Sequence, residues 1–100
     1  MLEKVHESRL KAAIENAGGM CIKLEPSLAG VPDRLVITPW GAVVWCELKQ
    51  DGGRLRRIQV SMHKRLRLLG QDVRVIYGKD GVDNFLHWME VQMQSRELLR

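Results

Sequence analysis

Long apolar runs and signal-peptide patterns are missing from this sequence. No stretch approaches the roughly 18 apolar residues that a membrane-spanning helix requires, and no basic n-region is followed by the apolar h-region of a signal peptide. Only two cysteines occur, Cys21 and Cys46, and neither belongs to a Cys-x-x-Cys pair or has histidines at zinc-binding spacing. We therefore expect no membrane association, no disulfide framework, and two buried thiols in a cytoplasmic protein.

Motifs of several enzyme classes are missing as well. The sequence has no Walker loop, no nucleophile elbow and no dinucleotide-binding fingerprint. Its three histidines, His6, His63 and His87, show no metal-ligand spacing, and we expect them at the surface or at helix margins. The 100 residues, of which 45% are hydrophobic and 28% charged, predict a single globular domain over 1–100.

The hydrophobic pattern predicts an α/β fold, a small mixed sheet with flanking helices, in the order αβββαβα. Helices are expected over 2–17, 55–69 and from 82 onward, after a turn at 78–81, with fraying after 95. Strands are expected over 20–25, 35–38, 42–46 and 73–77. In the second helix the predicted core-facing stripe is apolar, with Gln59 at its edge, and consists of Leu55, Ile58, Met62, Leu66 and Leu69.

Two acidic residues and a lysine are predicted to meet at one end of the central hairpin. Glu47 and Lys49 leave the same face of a strand because side chains alternate, and Pro39-Trp40-Gly41 supplies the turn that brings Asp33 alongside Glu47. Carboxylates and water suit Mg2+ or Mn2+, and an ammonium group suits an attacking water or a scissile phosphate. An isolated Glu-x-Lys is otherwise typical of a solvated strand edge or a surface ion pair.

The joint spacing of these fragments resembles the PD-(D/E)xK nuclease superfamily. Gly30-Val31-Pro32-Asp33-Arg34, Glu47-Leu48-Lys49, Gly53 and Gln59 are similar to the VRR-NUC family, and the resemblance runs from about Glu7 to Phe85. It implies a restriction-endonuclease-like core and a bacterial or phage-infected host cell.

The resemblance also implies roles for individual residues. Asp33 and Glu47, with a backbone carbonyl near Leu48, would bind Mg2+ or Mn2+. Lys49 would orient or deprotonate water, and Gln59 would hold Lys49 or a water molecule. Strand alternation places Arg34 on the sheet face opposite Asp33, so Arg34 is interpreted as structural or as a phosphate contact on that face.

Glu7 has two interpretations. It shares a helical stripe with Leu10 and Ile14, so the pattern alone favours an acid at the margin of the stripe, reaching solvent. The family resemblance favours a first-helix glutamate beside the metal site, with Glu3 as the rival assignment.

Basic residues are concentrated around the second helix. Six of them fall within 54–67 without any acid: Arg54, Arg56, Arg57, Lys64, Arg65 and Arg67. A charged helix face is usually just solvated, yet this concentration suits contacts with nucleic-acid phosphates. The net charge of +4 is compatible with such a partner without establishing one.

The preferred hypothesis is a metal-dependent DNA endonuclease. The family link favours branched or junction DNA, such as a Holliday junction in DNA repair, over duplex ends or RNA. The alternatives are a non-catalytic nucleic-acid-binding module that uses the basic helix and, less favoured, a structural or assembly protein. The complete set of Asp33, Glu47 and Lys49 favours the enzyme.

A homodimer is expected because one site cuts one strand and the chain leaves no room for a separate recognition domain. The resemblance to junction-resolving nucleases of the same superfamily also implies a two-fold dimer. Candidate interface residues are Trp40, Trp88, Met89 and Met93; the alternative is that they complete the protein's own core.

Overall fold

The computed structural model describes residues 3–25 and 28–99, with the backbone alone for Glu3. Within these residues one mixed sheet has the strand order β1-β2-β3-β4, antiparallel except for the parallel pair β3 and β4. The predicted element order and α/β class are confirmed. The elements are α1 (Glu3–Asn16), β1 (Met20–Lys23), β2 (Arg34–Ile37), β3 (Val43–Lys49), α2 (Arg57–Leu68), β4 (Asp72–Tyr77) and α3 (Gly78–Leu98).

The hairpin between β2 and β3 closes as its turn residues predict. The Thr38 backbone N–H donates to the Ala42 carbonyl at 2.8 Å, and the Thr38 hydroxyl accepts the Ala42 N–H at 2.9 Å. Gly41 adopts a positive φ of 87°, which glycine reaches without the Cβ clash of other residues. This turn fixes the register in which Arg34 lies opposite Cys46.

One face of the sheet carries the apolar core. Val44, Cys46 and Leu48 alternate along β3 toward Leu10 and Ile14 of α1, and all of them are buried. The helix α3 adds Val82, Phe85 and Met89 to the same cluster.

The two thiols lie in or beside this core. Cys21 and Cys46 are both free and buried, as expected. Burial raises the pKa of each thiol above its ordinary value. Neither cysteine is therefore a thiolate nucleophile at neutral pH.

The predicted core-facing stripe of α2 is only partly correct, because Leu55, Met62 and Leu66 are half-buried while its two other members are exposed. Ile58 and Leu69 are 46% and 76% exposed, whereas the residues of α2 that are buried are Gln59 and His63. The physical reason is that α2 covers the opposite sheet face, which bears Glu47. Apolar periodicity therefore located the inward side of this helix only approximately, because its most deeply buried residues are polar.

Several boundaries also differ from the predictions. The third helix begins directly after β4 at Gly78 and continues to Leu98, without the predicted turn at 78–81 or fraying from Ser95. The first strand ends at Lys23, two residues early. The predicted helix start at Leu2 lies outside the described residues. Among the described helices, none has the length and apolarity to cross a membrane.

Candidate active site

Asp33 and Glu47 lie side by side at the start of β2 and near the end of β3. Because Arg34 is opposite Cys46, the preceding residue Asp33 comes level with Glu47 on the other sheet face. Asp33 precedes the first residue of β2. At this position its side chain, instead of a strand carbonyl, accepts a hydrogen bond from β3. The Leu48 backbone N–H donates to Asp33 Oδ1 at 3.2 Å, while the Leu24 N–H donates to the Asp33 carbonyl at 2.9 Å. The Asp33 carboxylate is thus held against β3.

The loop before Asp33 packs closely against α2. Gly30 is buried with a positive φ of 86°, and a Cβ at this position would lie 2.3 Å from the Ile58 carbonyl oxygen. Pro32, which is fully buried, follows it. The missing side chain of Gly30 therefore lets α2 pack closely on this loop.

Glu47 is 5% exposed and faces a histidine of α2. Its Oε1 atom lies 3.8 Å from His63 Nε2, and His63 is itself only 1% exposed. Burial lowers the pKa of His63, and the positive charges of Arg67 and Lys49 lower it further, so the imidazole is neutral at pH 7.

The predicted margin or surface position is therefore wrong for His63, and it is also wrong for His6, which is 4% exposed; only His87 is exposed as predicted. One signal in the sequence was available. His63 follows Gln59 by four residues, so the two share one face of the helix.

Lys49 shares the Glu47 face and is partly exposed at the end of β3. Gln59 is 5% exposed, and its Oε1 atom accepts the Arg56 backbone N–H at 2.8 Å. This contact satisfies one donor in the first turn of α2 and holds the Gln59 side chain at the start of the helix. Gln59 therefore has a structural bond in addition to the site role expected of it.

Glu7 reaches the acidic pair through an arginine. Arg34 Nη2 lies 2.6 Å from Glu7 Oε1, and its Nη1 donates to the Asp33 carbonyl at 3.0 Å and lies 3.7 Å from Asp33 Oδ2. The Arg34 side chain is 6% exposed and Glu7 is 28% exposed. Arg34 is therefore a buried structural link between Glu7 and Asp33. The side chain of the rival, Glu3, is outside the described residues.

Comparisons with known proteins agree with this fold. A solved structure described as "VRR_NUC domain" superposes with a TM-score of 0.77 at 30% identity, covering 85% of this chain and 94% of that one. A protein named "Putative nuclease p44", from Acyrthosiphon pisum secondary endosymbiont phage 1, is 36% identical over 75 residues, 74% of this chain and 81% of its own length. The chain belongs to the VRR-NUC nuclease family. No family model matches the sequence.

The basic residues of this VRR-NUC chain form a surface around α2, but they are not equivalent. Arg54, Arg56, Arg57 and Lys64 are exposed. The guanidinium of Arg67 donates to the Val73 carbonyl at 2.9 Å, so one of its N–H donors is already bonded to β4. Arg57 and Lys64 are therefore more available to a partner than Arg67.

The VRR-NUC family suggests dependence on a divalent metal in general. Within 3–25 and 28–99 no three His, Cys, Asp or Glu side chains cluster in a way that could hold a metal. Mg2+ is commonly held by one or two carboxylates while retaining several waters. The adjacent Asp33 and Glu47 carboxylates match that oxygen-rich and incomplete donor set.

Proposed function

We propose that this VRR-NUC protein is a metal-dependent endonuclease that hydrolyses phosphodiester bonds in DNA, with a preference for branched or junction DNA. One observation carries the proposal: Asp33 and Glu47 are adjacent on a sheet face that also bears Lys49, beneath a helix whose outer side is basic. A cytoplasmic location remains a prediction from the sequence.

Each residue has a defined task in the proposed reaction. Asp33, Glu47 and the Leu48 carbonyl would hold Mg2+ or Mn2+, which when bound supplies positive charge at the scissile phosphate. Lys49 positions the attacking water and stabilises the charge that develops on the phosphate oxygens. Gln59 keeps the first turn of α2 in place through its bond to Arg56.

In this proposal Glu7 acts on Asp33 indirectly, through Arg34. Its carboxylate fixes the guanidinium of Arg34, and Arg34 in turn contacts the carbonyl and approaches the carboxylate of Asp33. Glu7 is therefore proposed as a positioning residue. Its replacement would disturb Asp33 through Arg34.

The runner-up is a nucleic-acid-binding module that uses the basic surface without catalysis. The two readings differ in one experiment, in which labelled branched, duplex and single-stranded DNA are incubated with the protein and either Mg2+ or Mn2+. The nuclease proposal expects cleavage, fastest on branched DNA. Tight binding without cleavage in either metal would favour the module.

Replacing Arg57 and Lys64 together by alanine should weaken binding to all DNA sequences alike. Both side chains are exposed on α2, and each lost phosphate contact lowers the slope of log affinity against log salt by roughly 0.9 for duplex DNA. Fluorescence anisotropy across a salt series measures this slope.

The matched control removes two positive charges elsewhere. Lys11 of α1 and Arg96 of α3 are exposed, and Arg96 lies over the Trp40 ring near the hairpin turn, away from the acidic pair. Their replacement by alanine should leave the slope nearly unchanged. Equal slopes for the wild type and the Arg57 and Lys64 variant would mean that this face is only solvated.

The proposed active species is a homodimer, but through a different surface from the one suggested by the aromatic residues. Met89 is buried in the core, and Trp40, Trp88 and Met93 pack against the core. These residues therefore complete the protein's own core, which was the alternative to an interface. The sheet face beside the acidic pair is instead apolar and partly exposed, with Met20 54% and Val43 43% exposed. Two rows of side chains cross the strands on this face. One row consists of Met20, Ile37 and Val43, and the other of Ile22, Leu35 and Trp45.

Val43→Lys should convert the dimer to a monomer in the micromolar range, because a second copy would have to bury the new ammonium group. Light scattering over a concentration series measures the mass. Val91→Lys, which changes a similarly exposed residue on α3, is the control. A wild-type protein that stays monomeric while cleaving at full rate would remove the dimer from the proposal and leave the nuclease site intact.

A further inference from the structure

His63 is buried without a hydrogen-bond partner for either ring nitrogen within residues 3–25 and 28–99. Buried polar side-chain atoms are hydrogen-bonded in the great majority of folded proteins, and an exception at a functional site calls for a functional explanation. Its Nε2 atom faces Glu47 Oε1 at 3.8 Å. The imidazole therefore borders the acidic pair at the core of the proposed site.

The chemistry of the two groups fixes which ring nitrogen carries the proton. A carboxylate only accepts hydrogen bonds, whereas a neutral imidazole has one donor nitrogen and one acceptor nitrogen. A proton on Nε2 points a donor at Glu47, while a proton on Nδ1 alone would place two lone pairs opposite each other. A movement of about 0.9 Å would turn this contact into an ordinary hydrogen bond.

We propose that His63 is a positioning residue that donates its Nε2–H to Glu47 and sets the orientation in which that carboxylate binds the metal. The proposal rests on the proposed nuclease function. Carboxylates that ligate metals are themselves oriented by hydrogen bonds from groups behind them. His63 is suited to this because α2 holds it rigidly, one residue from the exposed Lys64.

Nuclear magnetic resonance of the wild-type protein tests the geometry without any substitution. Long-range correlations of the labelled imidazole rings report which nitrogen is protonated. The expected result is the Nε2–H form for His63 and a change in its ring signals as Mg2+ is added, with the exposed His87 unaffected. A proton on Nδ1, or ring signals that ignore saturating Mg2+, would overturn the positioning role.

Calorimetric titration with Mg2+ provides the second readout, on the wild type, His63→Leu, His63→Gln and the control His87→Leu. Loss of such a supporting group typically weakens metal affinity about 10-fold to 100-fold, and we expect this for His63→Leu. His63→Gln keeps an N–H donor and should recover most of the affinity. Thermal unfolding of each variant shows that it is folded at the titration temperature.

The possible failures are distinguishable. If the wild type itself does not bind Mg2+ or Mn2+, the proposed function fails and the role of His63 fails with it. If the wild type binds and folded His63→Leu binds equally well, the inference about His63 alone is overturned. If His63→Leu does not fold, the tautomer and the Mg2+ response of the wild-type ring still decide the question.

Discussion

Asp33→Asn, Glu47→Gln and Lys49→Ala are each expected to slow DNA cleavage by at least about a hundredfold, the scale of losing one preorganised electrostatic group. The first two changes keep the side-chain shape but remove the negative charge that would hold a cation. The third removes the ammonium group beside the attacking water. Single-turnover cleavage of labelled DNA at saturating metal measures the effect.

Folding must be separated from chemistry in these variants. Circular dichroism and thermal unfolding should show a folded protein in all three cases. Glu90→Gln is the matched control, because Glu90 is an exposed acid on α3. Near-normal turnover of a folded variant would remove that residue from the mechanism, and normal turnover of all three would remove the site.

Gly30→Ala is expected to lower the free energy of unfolding by about 2–5 kcal/mol. A left-handed backbone costs a residue with a Cβ roughly 1–2 kcal/mol, and overpacking adds about 1–3 kcal/mol. The second contribution arises because the new Cβ would lie 2.3 Å from the Ile58 carbonyl oxygen. Urea unfolding measures the change.

Gly41→Ala isolates the backbone contribution. Gly41 has a nearly identical φ of 87°, but a Cβ there would meet nothing within 4 Å. We expect it to cost only the roughly 1–2 kcal/mol of the left-handed conformation. If the two variants lose the same free energy, the contact between Gly30 and α2 does not constrain the helix.

Much of the fold follows from local signals in the sequence. The alternation along Val43–Lys49 and the turn at Trp40 and Gly41 were enough to predict the hairpin and to place Asp33 beside Glu47. These predictions succeed because strand alternation and tight turns depend on near neighbours in the chain.

The inward side of α2 could be predicted only in part. Periodicity assigns the buried side of a helix by its apolar residues, yet here Gln59 and His63 face a strand that bears a carboxylate. The contact of Arg34 with Glu7 likewise joins residues on elements distant in sequence. A site that departs from the usual patterning rules in this way is where sequence reasoning is expected to fail.

The most direct measurement is cleavage of labelled branched DNA by the wild type and Glu47→Gln in parallel, with Mg2+, with Mn2+ and with excess chelator. The expected result is cleavage by the wild type in at least one metal, none in chelator, and restoration when metal is returned. Glu47→Gln should remain slow in every condition. Cleavage by the wild type that continues unchanged in chelator would contradict metal-dependent hydrolysis at Asp33 and Glu47.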